Sequence, residues 1–405
     1  MASPRDDAPV ESARHESPLG AARRRKTHLK VPEKSHRTAA SKTAAARETM
    51  NEPTSIKVCC LGFGTVARGF LDVLRSKEEE LERDFGLHVL ISGVGTRHGS
   101  FVEPKGLRAG ELQARVGDAG LPAPARSPHD LLAAAQADIL VEATVMEHEA
   151  GAPQATAHIE TAFSLGMDVI TVNKGPVAWN FTRLNDLALA EGRRWRFEGT
   201  VADGMPVFSL LERALPGCKL LGFDAVFNST TNFVLEEMAA GRSFADAVRE
   251  AQAQGFAEAD PSHDIDGWDA AAKAAALANV AMNAQITPAD ISRVSAREIT
   301  REQILGARER GARLRIVSSC RLRDQADAAR LPVLSRTRSD GRMPLWGRVA
   351  SNDPTRASEG AGGLGNATRP ASVDGSPVPI DVRQGVVELP LDHPLAHIAT
   401  TSLGV

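Results

Sequence analysis

Three observations predict an α/β chain. The apolar run Ile56 to Leu61 passes at once into the turn Gly62-Phe63-Gly64 and a helical pattern; two more buried-strand runs, 138–144 and 168–172, alternate with helical segments; and the second half mixes long helical stretches with a strand at 313–319. A strand that feeds a glycine turn and then a helix is the setting of a Rossmann-type dinucleotide-binding unit, and strands alternating with helices build a parallel sheet. The second half, where helices flank fewer strands, reads as an α+β substrate domain.

With 405 residues, 42% hydrophobic and 24% charged, the chain is long enough for two cores. A formal net charge of -3 provides no basic field, so neither nucleic acid nor anionic membrane is an implied partner. No apolar run approaches the length of a membrane span. Cys59, Cys60, Cys218 and Cys320 lack the paired spacing of a zinc or redox motif, so a reduced cytoplasmic protein is the simplest account. Tyr is absent, which removes one usual proton donor. Residues 1–53, with the cluster Arg23-Arg24-Arg25-Lys26 and no apolar periodicity, are expected to be a disordered tail, and Met50 is the expected natural start.

In the first βα unit, Gly62 permits a tight turn and Gly64 lets the backbone approach a pyrophosphate, which the helix N-terminus attracts through free N–H groups and its dipole. Gly62, Phe63, Gly64, Thr65 and Val66 are therefore cofactor candidates; the plainer reading is a simple strand-to-helix turn. The second strand, His88 to Val94, ends in Gly95-Thr96-Arg97-His98, with no acid to accept from a ribose 2′-hydroxyl. Arg97 suits a 2′-phosphate, which favours NADP and leaves NAD as the alternative. Residues 99–128, rich in Gly, Pro and Ala, read as a loop with a short helix.

The strand 138–144 should face the cofactor at its C-terminal edge. A helix over 153–165 then leads to the strand 168–172 and to Asn173-Lys174-Gly175-Pro176, where Gly-Pro suits a strand-end lysine that points into the site; the plainer reading is a surface lysine in a loop. A helix over 179–191, a strand over 195–198 and the loop Gly199 to Pro206 follow. The strand 219–228 ends in Asn228-Ser229-Thr230-Thr231-Asn232-Phe233, whose hydroxyls and amides either cap a helix or bind a carboxylate. Helices are expected at 243–254 and 267–282, and capped helix starts at Thr287-Pro288-Ala289-Asp290 and Thr300-Arg301-Glu302-Gln303.

The densest chemistry lies between Ala251 and Lys273. Glu258, Asp260, Asp264 and Asp269 gather in a loop punctuated by Gly and Pro, and Asp269 and Lys273 share one face of the helix that follows. Alone, that pair reads as a solvated i,i+4 ion pair. Set in the whole loop, acids can hold an ammonium group and a lysine can trade a proton with an oxygen, which suits a small amino acid with a reactive oxygen.

The spacing Ala251, Gly255-Phe256-Ala257, Asp260-Pro261, Asp264-Ile265, Gly267, Asp269, Lys273 resembles the signature of homoserine dehydrogenases of the short, kinase-free type. The resemblance implies reduction of L-aspartate 4-semialdehyde to L-homoserine by NADP-borne hydride, on the way to threonine and methionine. It assigns catalysis to Lys273, Lys174 and Asp269, the substrate to Glu258, Asp264, Ser229 and Thr230, and cofactor contacts to Ala143, Thr144 and Lys174. It also implies a structural sodium ion on backbone carbonyls aligned with Glu198, Val201, Asp203 and Met205, and a homodimer formed through the substrate-domain sheet. Val145-Met146-Glu147 departs from the family's usual Pro-Thr-Asn.

The expected organisation is a tail (1–53), a dinucleotide domain (54–186), a catalytic domain (187–320) and an irregular Pro/Gly/Arg-rich segment (321–405) in which the family pattern returns at Val387 to Ala396. The family's Gly-Ala-Gly segment and final helix are missing from that last part, which reads as a shortened C-terminus. Two other readings stand beside this one: an inactive relative that binds NADP without turnover, and another amino-acid or semialdehyde dehydrogenase on the same architecture.

Overall fold

The computed structural model describes residues 53–116, 120–147, 151–332 and 376–397. The expected tail at 1–53 and the Pro/Gly/Arg run at 331–375 therefore lie, but for their edges, outside the described residues.

A six-stranded sheet has the order β3-β2-β1-β4-β5-β6. Its strands are β1 (Thr54–Leu61), β2 (Leu87–Gly95), β3 (Ser100–Leu107), β4 (Ile139–Glu142), β5 (Asp168–Thr171) and β6 (Trp195–Arg196). All pair in parallel except β3, which runs antiparallel along β2. The alternation of β1 explains why the sheet is covered on both faces. Val58 and Cys60 join a core with Leu71, Ile91 and Leu112, while Cys59 and Leu61 join another with Leu131, Leu140 and Phe163. Because β2 and β4 lie on opposite sides of β1, the chain changes direction there, and the crevice at the carboxyl ends of β1 and β4 is the place for a ligand.

The first helix, α1 (Thr65–Phe85), follows the glycine turn directly. The expected loop over 99–128 contains its short helix, α2 (Ala109–Val116), but opens with a strand, β3, and α3 (Pro128–Ala135) follows it. Pro104 and Gly106 interrupt the strand pattern of β3, and a sheet edge tolerates both because a missing donor there leaves no partner unpaired. Next come α4 (Pro153–Ser164) and α5 (Lys174–Ala190), then α6 (Val207–Ala214).

The second sheet has the order β7-β8-β9, with β7 (Gly222–Ala225), β8 (Ala312–Leu322) and β9 (Ile380–Pro390), all antiparallel. The irregular reading of 321–405 gives way to strand over 380–390, where β9 pairs with β8 from Leu322↔Ile380 to Ala312↔Pro390. Its apolar positions alternate, but the polar run ahead of it conceals the signal. Helices α7 (Ser229–Ala239), α8 (Phe244–Ala253), the single turn α9 (Ser262–Ile265), α10 (Trp268–Met282) and α11 (Arg301–Glu309) complete the second part. Thr287 and Thr300 each head a capping box, the former on a 3-10 turn and the latter on α11.

The packing that matters for the site is α10 on α5. Alanines fill α10 and are buried on all sides, so its backbone approaches α5 closely; Asn279 Nδ2 donates to Ala178 O of α5 at 3.1 Å. At its other end α10 is held by β9. Gln384 Nε2 donates to Gly267 O at 2.8 Å, and its Oε1 accepts from Val294 N–H at 3.2 Å. Gly267 has φ 79°, and a Cβ there would fall 2.4 Å from Gln384 Oε1. Both constraints act against any side chain at this position. Gly267→Ala is expected to cost about 1–3 kcal/mol, read as a lower urea midpoint with an unchanged m value. An unchanged midpoint would show that the Gln384 clamp adapts freely.

Candidate active site

The crevice is built first from β1. Gly62 N–H donates to Gly95 O at 2.9 Å and Ala143 N–H to Leu61 O at 2.7 Å, which draws the turn against the end of β4. A Cβ on Gly62 would sit 2.2 Å from Ala143 O, and φ is 91°, so only glycine fits. A Cβ on Gly64 would meet nothing within 4 Å. That open space lies at the start of α1, whose N-cap Gly64 offers no side-chain partner and whose first turn carries no acid. A cradle of free N–H groups at the positive end of a long helix fits a pyrophosphate. Arg68 lies over the Phe63 ring, 4.8 Å from its centre, and donates to Phe63 O at 3.4 Å. Thr65 opens α1 and Val66 is half exposed beside it. Arg97 is exposed beyond β2, with Nε donating to His98 Nε2 at 2.9 Å. Thr144, just beyond β4, donates its N–H to Glu142 at 3.2 Å and is also bonded to it through the hydroxyl.

Across the crevice stand α5 and α10. Asn173 accepts from Gly175 N–H at 3.0 Å and caps α5, so Lys174 is its first helical residue and the helix begins ahead of the expected 179. Lys174 Nζ lies 2.9 Å from Asp269 Oδ1, and Lys273 Nζ lies 3.0 Å from Asp269 Oδ2. One carboxylate thus bridges two ammonium groups brought from distant parts of the chain. Their side chains are 21%, 15% and 9% exposed for Lys174, Lys273 and Asp269, so solvent screens them weakly. Lys273 also donates to Phe227 O at 3.0 Å.

Asn228 and Thr230, at the start of α7, complete the cluster. Asn228 Oδ1 accepts from Thr231 N–H at 2.8 Å, as a cap should, while its Nδ2 donates to Asp269 Oδ2 at 3.0 Å and Asp264 Oδ1 at 2.8 Å. The Thr230 hydroxyl donates to Asp264 Oδ2 (2.9 Å) or Phe256 O (2.8 Å). The capping reading of this segment is met by Asn228; its remaining amide and the Thr230 hydroxyl serve Asp264 and Asp269 of the chain itself.

Burial favours the neutral form of Asp269, but Lys174 and Lys273 outweigh it and hold the carboxyl far below the usual carboxylate range. Burial likewise opposes the charge on Lys174, yet Asp269, Asp264 and Asp203 together keep its ammonium above the ordinary lysine value. Asp264 is shifted the other way: burial and the charge of Asp269 raise it, against the bonds from Asn228 and Thr230. Two carboxylates close together with opposite shifts divide the work, one permanently charged and one poised to gain from an added cation.

The structure brings together Lys174, Asp269, Lys273, Asp264 and Thr230. Glu258 is exposed and Ser229 is exposed at the first position of α7; neither is joined to this cluster by a hydrogen bond or ion pair among the described residues. Glu198 spends its carboxylate on α6, accepting from the N–H groups of Phe208 and Ser209 at 2.9 Å and from the Ser209 hydroxyl at 2.6 Å. Asp203 kinks the loop after it at φ 49°, and Met205 O accepts from Val207 N–H at 2.8 Å. Val201 is buried in the same loop. No group of three or more His, Cys, Asp or Glu side chains among the described residues is arranged to hold a metal ion. The sequence marks Asn228 as a cap or a carboxylate ligand but not as the amide that joins Asp264 to Asp269, and it does not mark Glu142, the acid that ends the otherwise apolar β4, at all.

A dinucleotide crevice facing a buried pair of lysines bridged by an aspartate defines a nicotinamide-dependent oxidoreductase that acts on a small polar molecule. Comparison with known proteins narrows the class. Residues 62–198 match the model of the homoserine dehydrogenase NAD binding domain, and residues 206–405 match that of the homoserine dehydrogenase domain. The chain is 34% identical over 275 residues to an NAD(+)-dependent homoserine dehydrogenase of Pseudomonas canavaninivorans, covering 66% of this chain and 77% of that protein. It is 32% identical over 267 residues to a homoserine dehydrogenase of Methanocaldococcus jannaschii, covering 64% and 79%. Among solved structures, a homoserine dehydrogenase from Thiobacillus denitrificans aligns with TM-score 0.57 and 29% identity over 70% of this chain and 60% of that one. A hyperthermophilic archaeal homoserine dehydrogenase in complex with NADPH aligns with TM-score 0.54 and 27% identity over 66% and 78%. The chain belongs to the homoserine dehydrogenase family and is an NAD(P)-dependent oxidoreductase of amino-acid biosynthesis. The family match over 206–405 takes in the segment 321–405, where the sequence by itself shows the family pattern only at Val387 to Ala396.

Proposed function

We propose that Lys174, Lys273 and Asp269 carry the interconversion of L-aspartate 4-semialdehyde and L-homoserine, with NADP as the preferred cofactor. The observation that carries this is the single buried carboxylate joining two lysines beside the dinucleotide crevice. When bound, the nicotinamide supplies or accepts the hydride. In the reductive direction negative charge develops on the aldehyde oxygen, and two ammonium groups fixed by Asp269 stabilise it without reorganisation. One lysine delivers the proton and the other remains as electrostatic partner. Asp264, held by Asn228 and Thr230, accepts the substrate ammonium; the arriving cation favours its ionised form. Glu258 and Ser229 are assigned to the outer edge of the substrate site.

Gly62, Phe63, Gly64, Thr65 and Val66 hold the pyrophosphate, and Ala143, Thr144 and Lys174 face the nicotinamide end. Arg97 is assigned to the 2′-phosphate of NADP. Its replacement by alanine is expected to raise the KM for NADP on the order of 10-fold or more, a charged-contact loss of about 1.5–3 kcal/mol. The KM for NAD should stay nearly constant; equal changes for both cofactors would remove Arg97 from that role.

A sodium ion on the backbone carbonyls of Glu198, Val201, Asp203 and Met205 is part of the same reading, supported by neutral oxygen donors on a loop kinked at Asp203. Homodimerisation through the second sheet is testable by light scattering. A reduced cytoplasmic setting agrees with four free cysteines, of which burial pushes Cys60 and Cys320 up to about 12. The test of the reaction is NADP reduction by L-homoserine at about pH 9, between the reference values of histidine and lysine, beside a panel of other four-carbon hydroxy and amino acids. Turnover confined to homoserine supports the reading; preference for another substrate, or NADP binding without turnover of any, overturns it.

A further inference from the structure

We propose that Glu142 is a positioning residue that sets the start of α5, and with it Lys174, against the end of β4. The side chain of Glu142 is 0% exposed. Among the described residues His158 is the only basic group within ion-pair distance, its Nδ1 3.5 Å from Glu142 Oε1. A buried carboxylate is expensive unless bonded, and the bonds here run in a chain toward the active site. One oxygen accepts from the Thr144 N–H at 3.2 Å and from the Thr144 hydroxyl. The other accepts from the Thr171 hydroxyl at 3.1 Å. The Thr171 oxygen in turn accepts from Asn173 N–H at 3.2 Å, and Asn173 Nδ2 reaches Thr144 Oγ1 at 3.4 Å. Asn173 then caps the helix that begins at Lys174.

The loop of bonds is therefore closed: Glu142 to Thr171, Thr171 to Asn173, Asn173 to Thr144, and Thr144 back to Glu142. It ties together the carboxyl ends of β4 and β5 and the first turn of α5. Two hydroxyls and the Thr144 N–H hydrogen-bond the carboxylate, with the His158 imidazole close by, and among the described residues no lysine or arginine pairs with it. The acid thus acts on geometry, fixing where the lysine backbone starts, while Asp269 fixes where the ammonium ends. A shift of about 1 Å at such a group costs on the order of 100-fold in rate.

This inference rests on the role given to Lys174, and the test separates the two. Glu142→Gln, nearly isosteric, is measured for homoserine oxidation in the wild-type and in the Lys174→Ala background, with thermal unfolding followed in each. The expected result is a kcat lowered roughly 10- to 100-fold with KM for homoserine within about threefold, and a further loss below about twofold once Lys174 is gone. Thr171→Val, which removes the bridge to Asn173 and keeps the carboxylate, is expected to show the same coupling and decides the matter where Glu142→Gln does not fold. Unchanged kcat in the single variants, or the same fold-loss in both backgrounds, overturns the positioning role while leaving Lys174 in place. Full activity in Lys174→Ala alone overturns the reading beneath it.

Discussion

Alanine at Lys174 or at Lys273 is expected to lower kcat for homoserine oxidation by about 10²- to 10⁴-fold each, the range for loss of a positioned proton-transfer group. The KM for homoserine should move far less, because Asp264 and Thr230 remain to hold the substrate. The double variant should be little worse than either single one, since both lysines act on one oxygen and neither works without the other's field. Lys174→Ala leaves Asp269 bonded to Lys273 and Asn228, so the fold should persist and the loss should be chemical. A variant of either lysine with near-normal kcat would remove that residue from the reaction.

Asp269→Asn is expected to do more damage, because it acts on both lysines and on stability together. Two ammonium groups would be left buried beside a neutral amide, and breaking a buried pair in this way costs about 3–5 kcal/mol. The sign of the pH dependence follows from the two shifts. The carboxyl of Asp269 is held below its unfolded value, so its contribution is present above about pH 4 and is lost as pH falls through the folded value. The ammonium of Lys174 is held above its unfolded value, so its contribution is present below about pH 10 and is lost as pH rises through the folded value. The wild-type chain should thus hold this part of its stability across the neutral range and lose it at both extremes. Urea unfolding of Asp269→Asn at about pH 7, between those limits, should show a large drop in midpoint. A drop below about 1 kcal/mol, the size of an exposed pair, would contradict the buried bridge.

Much of the site is legible in the sequence because it is local. The Gly62 turn follows its strand directly, and Asp269 and Lys273 stand one helical turn apart, so each is fixed by a few residues of chain. The meeting of Lys174 with Asp269 is not local: it requires the alanine-rich α10 to lie against α5, and spacing alone does not reveal which helices pack. The role of Asn228 depends on the same meeting, since its amide has two carboxylates to serve only after α7, α9 and α10 converge. Glu142 is concealed differently. An acid in the run Ile139–Glu142 looks like a strand-end polar residue until β5 brings Thr171 beside it. The β3 and β9 strands were hidden by composition: Pro104 and Gly106 break one pattern, and the polar run before 376 masks the other.

The most direct test of the lysine–aspartate–lysine centre is the pH profile of homoserine oxidation by NADP, recorded from about pH 7 to 10.5, spanning the ordinary lysine range, for the wild-type chain and for Asp269→Asn. With Asp269 in place a lysine ammonium must lose its proton against the pull of the carboxylate, so the wild-type rate should climb to the alkaline end without a plateau. Without that carboxylate burial is less opposed, and the rising limb should move to lower pH at a much reduced maximum. A wild-type profile that is flat between about pH 7 and 9.5, below the reference lysine value, or a limb that stays in place in Asp269→Asn, would contradict the account.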